Sequence, residues 1–176
     1  MTRGPVVLAP IFVLALAADN GKSDAKEAVD FRKLKEVLPD KLGDLKRTEH
    51  TGQKVKMDKF TISMASATYA KEDAGDNAPR IEVQIADYGA TQGVVDGMTA
   101  WAKVEIDRET DDGYERTVKI ATHPGFETCN KQEKSCQLLL FVAQRFLLTI
   151  QTTNLALDQM KKLAESLPLD KLAAIK

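Results

Sequence analysis

The sequence predicts an α+β domain, a mainly antiparallel β-sheet flanked by helices. Helix-period segments stand at the start, middle and end of the chain, and alternation with period two fills the stretches between them. Clusters of turn formers separate the alternating runs closely enough for neighbours to pair antiparallel. The order helix, strands, helix, run of strands, helix does not suit a doubly wound parallel sheet. A length of 176 residues fits one domain, read as residues 29–176, with a core large enough to need no metal or oligomer for stability.

The chain opens with Arg3, an apolar run from Pro5 to Leu16, and the small residues of Ala15-Leu16-Ala17. This pattern predicts a secretory signal over residues 1–17, cleaved near Ala18 or Asp19. The run contains Pro10 and falls short of the ~20 residues that span a bilayer, so the mature chain is expected to have no membrane span. An uncleaved anchor is the alternative. Residues 18–28 are polar without apolar period and read as a flexible leader.

Phe31, Leu34, Val37 and Leu38 fall at helical spacing behind Asp30 as N-cap, and Pro39 stops the helix. Phe60-Thr-Ile62-Ser-Met64 and Ile81-Glu-Val83-Gln-Ile85 alternate as strands with one face in the core, and the turn formers of residues 73–79 make them antiparallel neighbours. Residues 91–104 return to helix period, with Val94, Met98, Trp101 and Val104 on one stripe, so Trp101 is expected to be largely buried.

Asp112-Gly113 predicts a type I′ hairpin in which Glu109 faces Arg116, and His123-Pro124-Gly125 marks the next turn. Strands follow around Phe126 to Cys129 and Cys136 to Thr152. Within the second, Leu138 to Val142 is apolar without alternation, as in a central strand covered on both faces. Ala143-Gln144 is poor turn chemistry, although a break before Arg145-Phe146 is needed. A closing helix from about Leu155 has the stripe Leu157, Met160, Leu163, Ala164 and Leu167, then Pro168 and a last amphipathic turn.

The apolar final hairpin, Leu138 to Thr152, followed by a C-terminal helix resembles the Mog1/PsbP-like α/β/α sandwich, and the resemblance implies that arrangement of the helices about the sheet. The pieces Ile85-Ala-Asp-Tyr-Gly89, Asp112-Gly-Tyr-Glu-Arg116 and Arg145-Phe146 are similar to those of uncharacterised bacterial exported proteins and lipoproteins. The resemblance covers most of the mature chain. It implies a non-catalytic, protein-associating module and supplies no catalytic residue. The chain departs from lipid-anchored relatives by lacking an acceptor cysteine after the apolar run.

A net charge of -1, from 25 basic and 26 acidic residues, gives no electrostatic attraction to nucleic acid or anionic lipid. Cys129 and Cys136, the only cysteines, bracket a turn-like stretch between two strands and predict a disulfide in an oxidising compartment. Neither they nor His50 and His123 have zinc-ligand spacing, and residues 107–118 place glycine and the bidentate acid wrongly for a calcium loop. No metal and no cofactor are therefore expected. Phosphate-cradle, nucleophile-elbow and metalloprotease motifs are absent. Arg116 alternates with Tyr114, Val118 and Ile120 on an otherwise apolar face, where it either pairs with Glu109 or receives a ligand's carboxylate or phosphate. Together these features predict an exported binding module, periplasmic or extracellular, whose partner is another envelope protein or a small ligand. The contrasting class is an exported hydrolase whose serine, histidine and acid meet only in space.

Overall fold

The computed structural model describes residues 27–56, 61–71, 75, 77–89 and 92–176, without the side chains of residues 92, 94 and 95. The expected signal over residues 1–17, most of the leader, Phe60 and the Val94 side chain lie outside these residues. The elements run α1 (Phe31–Lys35), β1 (Lys41–Leu42), β2 (Leu45–Lys56), β3 (Thr61–Ala70), β4 (Arg80–Asp87), α2 (Gln92–Trp101), β5 (Asp107–Thr110), β6 (Gly113–Ile120), β7 (His123–Asn130), β8 (Ser135–Val142) and β9 (Phe146–Thr153). A 3-10 turn (Leu157–Gln159), α3 (Met160–Ser166) and α4 (Leu169–Ala173) close the chain. The class is α+β, as the patterning predicts.

All strands of the described residues join one antiparallel sheet in the order β1-β2-β3-β4-β9-β8-β7-β6-β5. The first four meander inward from one edge. The segment containing α2 then carries the chain from β4, in the middle, to β5 at the far edge, and β5 to β9 meander back until β9 pairs with β4. β3 and β4 are antiparallel neighbours as expected. The core lies on one side of this sheet. Leu34, Val37 and Leu38 from the first helix region join Val83, Leu138, Leu140, Leu148 and Ile150 from the strands, and Met160, Leu163, Ala164 and Leu172 from the last helices. Ala28 and Val29 are already buried where the described chain begins.

Local chemistry explains the first helix. The Asp30 carboxylate accepts from the Arg32 N–H at 2.8 Å, satisfying one orphan donor of the first turn. Its packing corrects the expected face of β3. The side chains turned into the core are Ser63, Ala65, Ala67 and Tyr69, whereas Ile62 and Met64 face the other side and stay half-buried. The reason is room: a Cβ on Gly52, opposite Ala65, would stand 2.5 Å from the Phe31 ring, so α1 needs glycine and alanine beneath it.

Four turns or helices also differ from the patterning. Thr110 pairs with Gly113 and Arg108 with Glu115, so the two-residue loop is Asp111-Asp112 and the type I′ expectation fails, neither residue having positive φ. Gly113 is claimed instead by a close approach, since a Cβ there would lie 1.9 Å from the Cys129 carbonyl oxygen. His123, Pro124 and Gly125 are strand residues of β7, and the turn is Ala121-Thr122 with Ala121 at φ 53°. The Trp101 stripe is only partly realised. α2 ends at Trp101, which is half-buried, and Val104 beyond it is 48% exposed. The closing helix starts later than Leu155, behind the 3-10 turn, but buries Met160, Leu163, Ala164 and Leu167 as its stripe requires. β8 is central, and Leu140, Phe141 and Val142 are all buried.

Candidate functional site

Cys129 and Cys136 face each other across β7 and β8 and are disulfide-bonded, with Phe126 opposite Leu139 in the same register. Both cysteines are buried, on the core side. The bond closes a short loop, worth roughly 2.5 kcal/mol in the chain-entropy account.

Arg116 lies on that side too, and its partner is Glu127 rather than Glu109. Nε and Nη2 both reach Glu127 Oε2 at 2.8 Å, and the guanidinium stacks 4.5 Å from the centre of the Tyr114 ring. Glu109 instead meets Lys131 at 3.0 Å. The two-residue shift of the hairpin register moves Glu109 opposite Tyr114, which is why the expected pair does not form. Glu127 is 4% exposed and also accepts from the Tyr114 hydroxyl at 3.0 Å. Burial, reinforced by the Glu127 charge and hydrogen bond, pushes Tyr114 up to about 12. Burial would lower Arg116, but the bond and charge of Glu127 outweigh it and hold the guanidinium above its ordinary value. Half of the Arg116 side chain remains exposed, with Nη1 unspent among the described residues.

A second ionic centre joins the end of β4 to the turn before β9. Asp87, fully buried at the end of β4, accepts four hydrogen bonds: from Arg145 Nε at 3.0 Å and Nη2 at 2.9 Å, from the Val29 N–H at 2.8 Å and from the Gly89 N–H at 2.9 Å. Arg145 Nη2 also reaches the Glu27 carbonyl at 3.3 Å. The clamp explains how Ala143-Gln144 makes a turn despite poor chemistry. Both sit at positive φ, 53° and 54°, and Arg145 behind them is tied across the sheet. Beside it, opposite Asp87, the buried Ser63 hydroxyl has no partner among the described residues.

The histidines do not meet. His50 places Nε2 3.2 Å from the Lys35 carbonyl, and burial, with Arg47 and Lys35 adding to it, lowers its pKa. Among the described residues no hydrogen bond joins His50 or His123 to a serine or a carboxylate, and no group of three potential metal ligands gathers.

The other side of the sheet is built differently. It carries half-buried Ile62, Met64, Leu139 and Leu147, and Trp101 of α2 is set edge-on against Phe126 there at 6.0 Å and 75°. Farther along, cross-strand rows place Gln84 beside Thr149, and Gln151, Gln137 and Thr128 in line. None of these five is buried, and none of their amides or hydroxyls is hydrogen-bonded among the described residues. The row continues into a shallow concavity of about 210 Å³ whose lining includes Arg108, Thr110, Asp112, Glu115, Thr128 and Asn130. Arg108 and Glu115 there neutralise each other.

Sequence reasoning found Cys129, Cys136 and Arg116 but missed Asp87 and Glu127. Glu127 left one signal, an acid two residues before a cysteine on the inward face of a strand; Asp87 and Arg145 lie in two of the short pieces singled out above, but their pairing across 58 positions left none. No described helix is long and apolar enough to cross a membrane. Compared with family models, with curated proteins and with solved structures, the chain matches none, so its function is read from its own surfaces.

Proposed function

We propose that the chain is an exported, non-catalytic binding module of the cell envelope or extracellular space, with the α/β/α sandwich that its resemblance to Mog1/PsbP-like proteins implies. The observation that carries this reading is the asymmetry of the sheet. One side is closed by α1, α3 and α4 over a continuous core. The opposite side, met by Trp101 of α2 at Phe126, still leaves half-exposed Ile62, Met64, Leu139 and Leu147 next to uncharged polar side chains with unspent hydrogen bonds, which suits contact with a partner across a surface. The buried Cys129–Cys136 bond favours an oxidising compartment.

The test has two arms. Fractionation of producing cells should recover a chain outside the cytoplasm that begins near Ala18 or Asp19, with no free thiol. Immobilised, it should retain an envelope component that is lost when charge is placed on the solvent side by Gln137→Lys with Gln151→Lys. Recovery of the reduced chain from the cytoplasm, or capture indifferent to the added charge, would overturn the reading.

A further inference from the structure

We propose that the solvent side of the sheet binds an uncharged oligosaccharide, along the line Gln84, Thr149, Gln151, Gln137 and Thr128 and into the concavity beside β5. This deepens the binding-module reading and rests on it. The first argument is charge. The chain is 29% charged, and its exposed strand β5 alone holds Asp107, Arg108 and Glu109. Yet the solvent-side positions of the described strands β7, β8 and β9, from Phe126, Thr128 and Asn130 to Ser135, Gln137 and Leu139 and on to Leu147, Thr149, Gln151 and Thr153, hold no charge at all. The two charges at the ends of the Gln151, Gln137 and Thr128 row are paired, Glu82 with Arg80 at 2.8 Å and Glu115 with Arg108, and the exposed Lys119 lies beyond Thr117 on β6, away from that row. A phosphate-rich or acidic ligand would find no cation among the five side chains of this line, and a basic one would find, besides the paired Glu82 and Glu115, a carboxylate only at Asp112 in the concavity, which the Gln132 amide already meets.

The second argument is the match of hydrogen-bonding groups. A primary amide offers paired donors beside an acceptor, and a hydroxyl is both at once. Three amides and two hydroxyls, all unspent among the described residues, thus face outward on four adjacent strands. With strands ~4.8 Å apart they extend over about 14 Å, a length suited to a short run of sugar rings whose hydroxyls likewise donate and accept. An extended peptide would instead seek a sheet edge for its backbone and apolar pockets for its side chains. The shallow concavity at the end of the line offers a terminal ring a seat beside Thr110, Asp112, Thr128 and Asn130.

The experiment is calorimetric titration of the exported chain with cellohexaose, chitohexaose and maltohexaose as neutral probes and a hexamer of galacturonate as the charged one. At least one neutral probe should bind, with an affinity unchanged between about 0.05 M and 0.5 M salt because no ion pair is made. Gln137→Ala with Gln151→Ala should weaken it tenfold or more, about one well-made hydrogen bond or better, while circular dichroism and the disulfide stay as in the parent chain. Failure of all three neutral probes, binding of the galacturonate alone, or an unchanged affinity in the double variant overturns the proposal. Envelope capture run in parallel separates the two readings: capture that depends on this side without any glycan binding removes the saccharide and leaves the module.

Discussion

Replacing Asp87 by asparagine changes one atom and tests the clamp that ties the start of the described chain to the middle of the sheet. In the parent, each carboxylate oxygen serves two donors, Oδ1 the Gly89 N–H and Arg145 Nε, Oδ2 the Val29 N–H and Arg145 Nη2. An asparagine amide has one oxygen, so whichever way it turns, two donors meet an N–H group instead of an acceptor. The site has no exposure through which water could substitute. Two charge-assisted bonds at about 1.5–3 kcal/mol each, and the comparable ~3–5 kcal/mol for breaking a buried ion pair, place the loss near 3–5 kcal/mol. At the scale of this domain that lowers Tm by roughly 6–20 °C. Urea denaturation followed by circular dichroism and Trp101 fluorescence measures it. A loss below about 1 kcal/mol would refute the closed clamp and with it the explanation of the Ala143-Gln144 turn.

Other expectations follow from single contacts. Gly113→Ala puts a Cβ against the Cys129 carbonyl and should cost about 3 kcal/mol or more, read as a fall in the urea midpoint; a neutral result would mean the β6–β7 approach is looser than 1.9 Å implies. Cys129→Ala with Cys136→Ala should lower stability by roughly 2.5 kcal/mol and leave a folded chain, while two free thiols on alkylation of the non-reduced parent would disprove the bond itself. Ser63→Ala removes a buried hydroxyl that bonds to nothing described, so it should be neutral or slightly stabilising, by up to about 1 kcal/mol; a marked loss would reveal a hidden partner. Burial raises all three tyrosines, Tyr69 and Tyr114 up to about 12. Their contribution to stability is therefore complete below about pH 10 and lost as pH climbs from there through about 12, and ultraviolet titration of the native chain should show little tyrosinate at about pH 10.5.

The sequence by itself determined the features that depend on neighbours in the chain. Asp30 before an apolar period and Pro39 after it specify the first helix, and the spacing of Cys129 and Cys136 sets a hairpin register that also brings Phe126 opposite Leu139. Both are short-range, so composition and period suffice to read them. What only the tertiary structure decided involves partners brought together by the crossover. The return of β5 to β9 until β9 lies beside β4 joins Arg145 to Asp87 and turns an unfavourable Ala143-Gln144 pair into a held turn. The β5–β6 register answers to a carbonyl on β7, which needs glycine at 113, and so Arg116 meets Glu127 instead of Glu109. The ring of Phe31 leaves no room for a Cβ at Gly52, opposite Ala65, and the face of β3 turned to the core carries Ser63, Ala65, Ala67 and Tyr69, so Ile62 and Met64 turn outward although their hydrophobicity favours burial. Close packing of an element distant in the chain outweighs the preference of any single residue, because overlap of atoms costs more than an exposed methyl group.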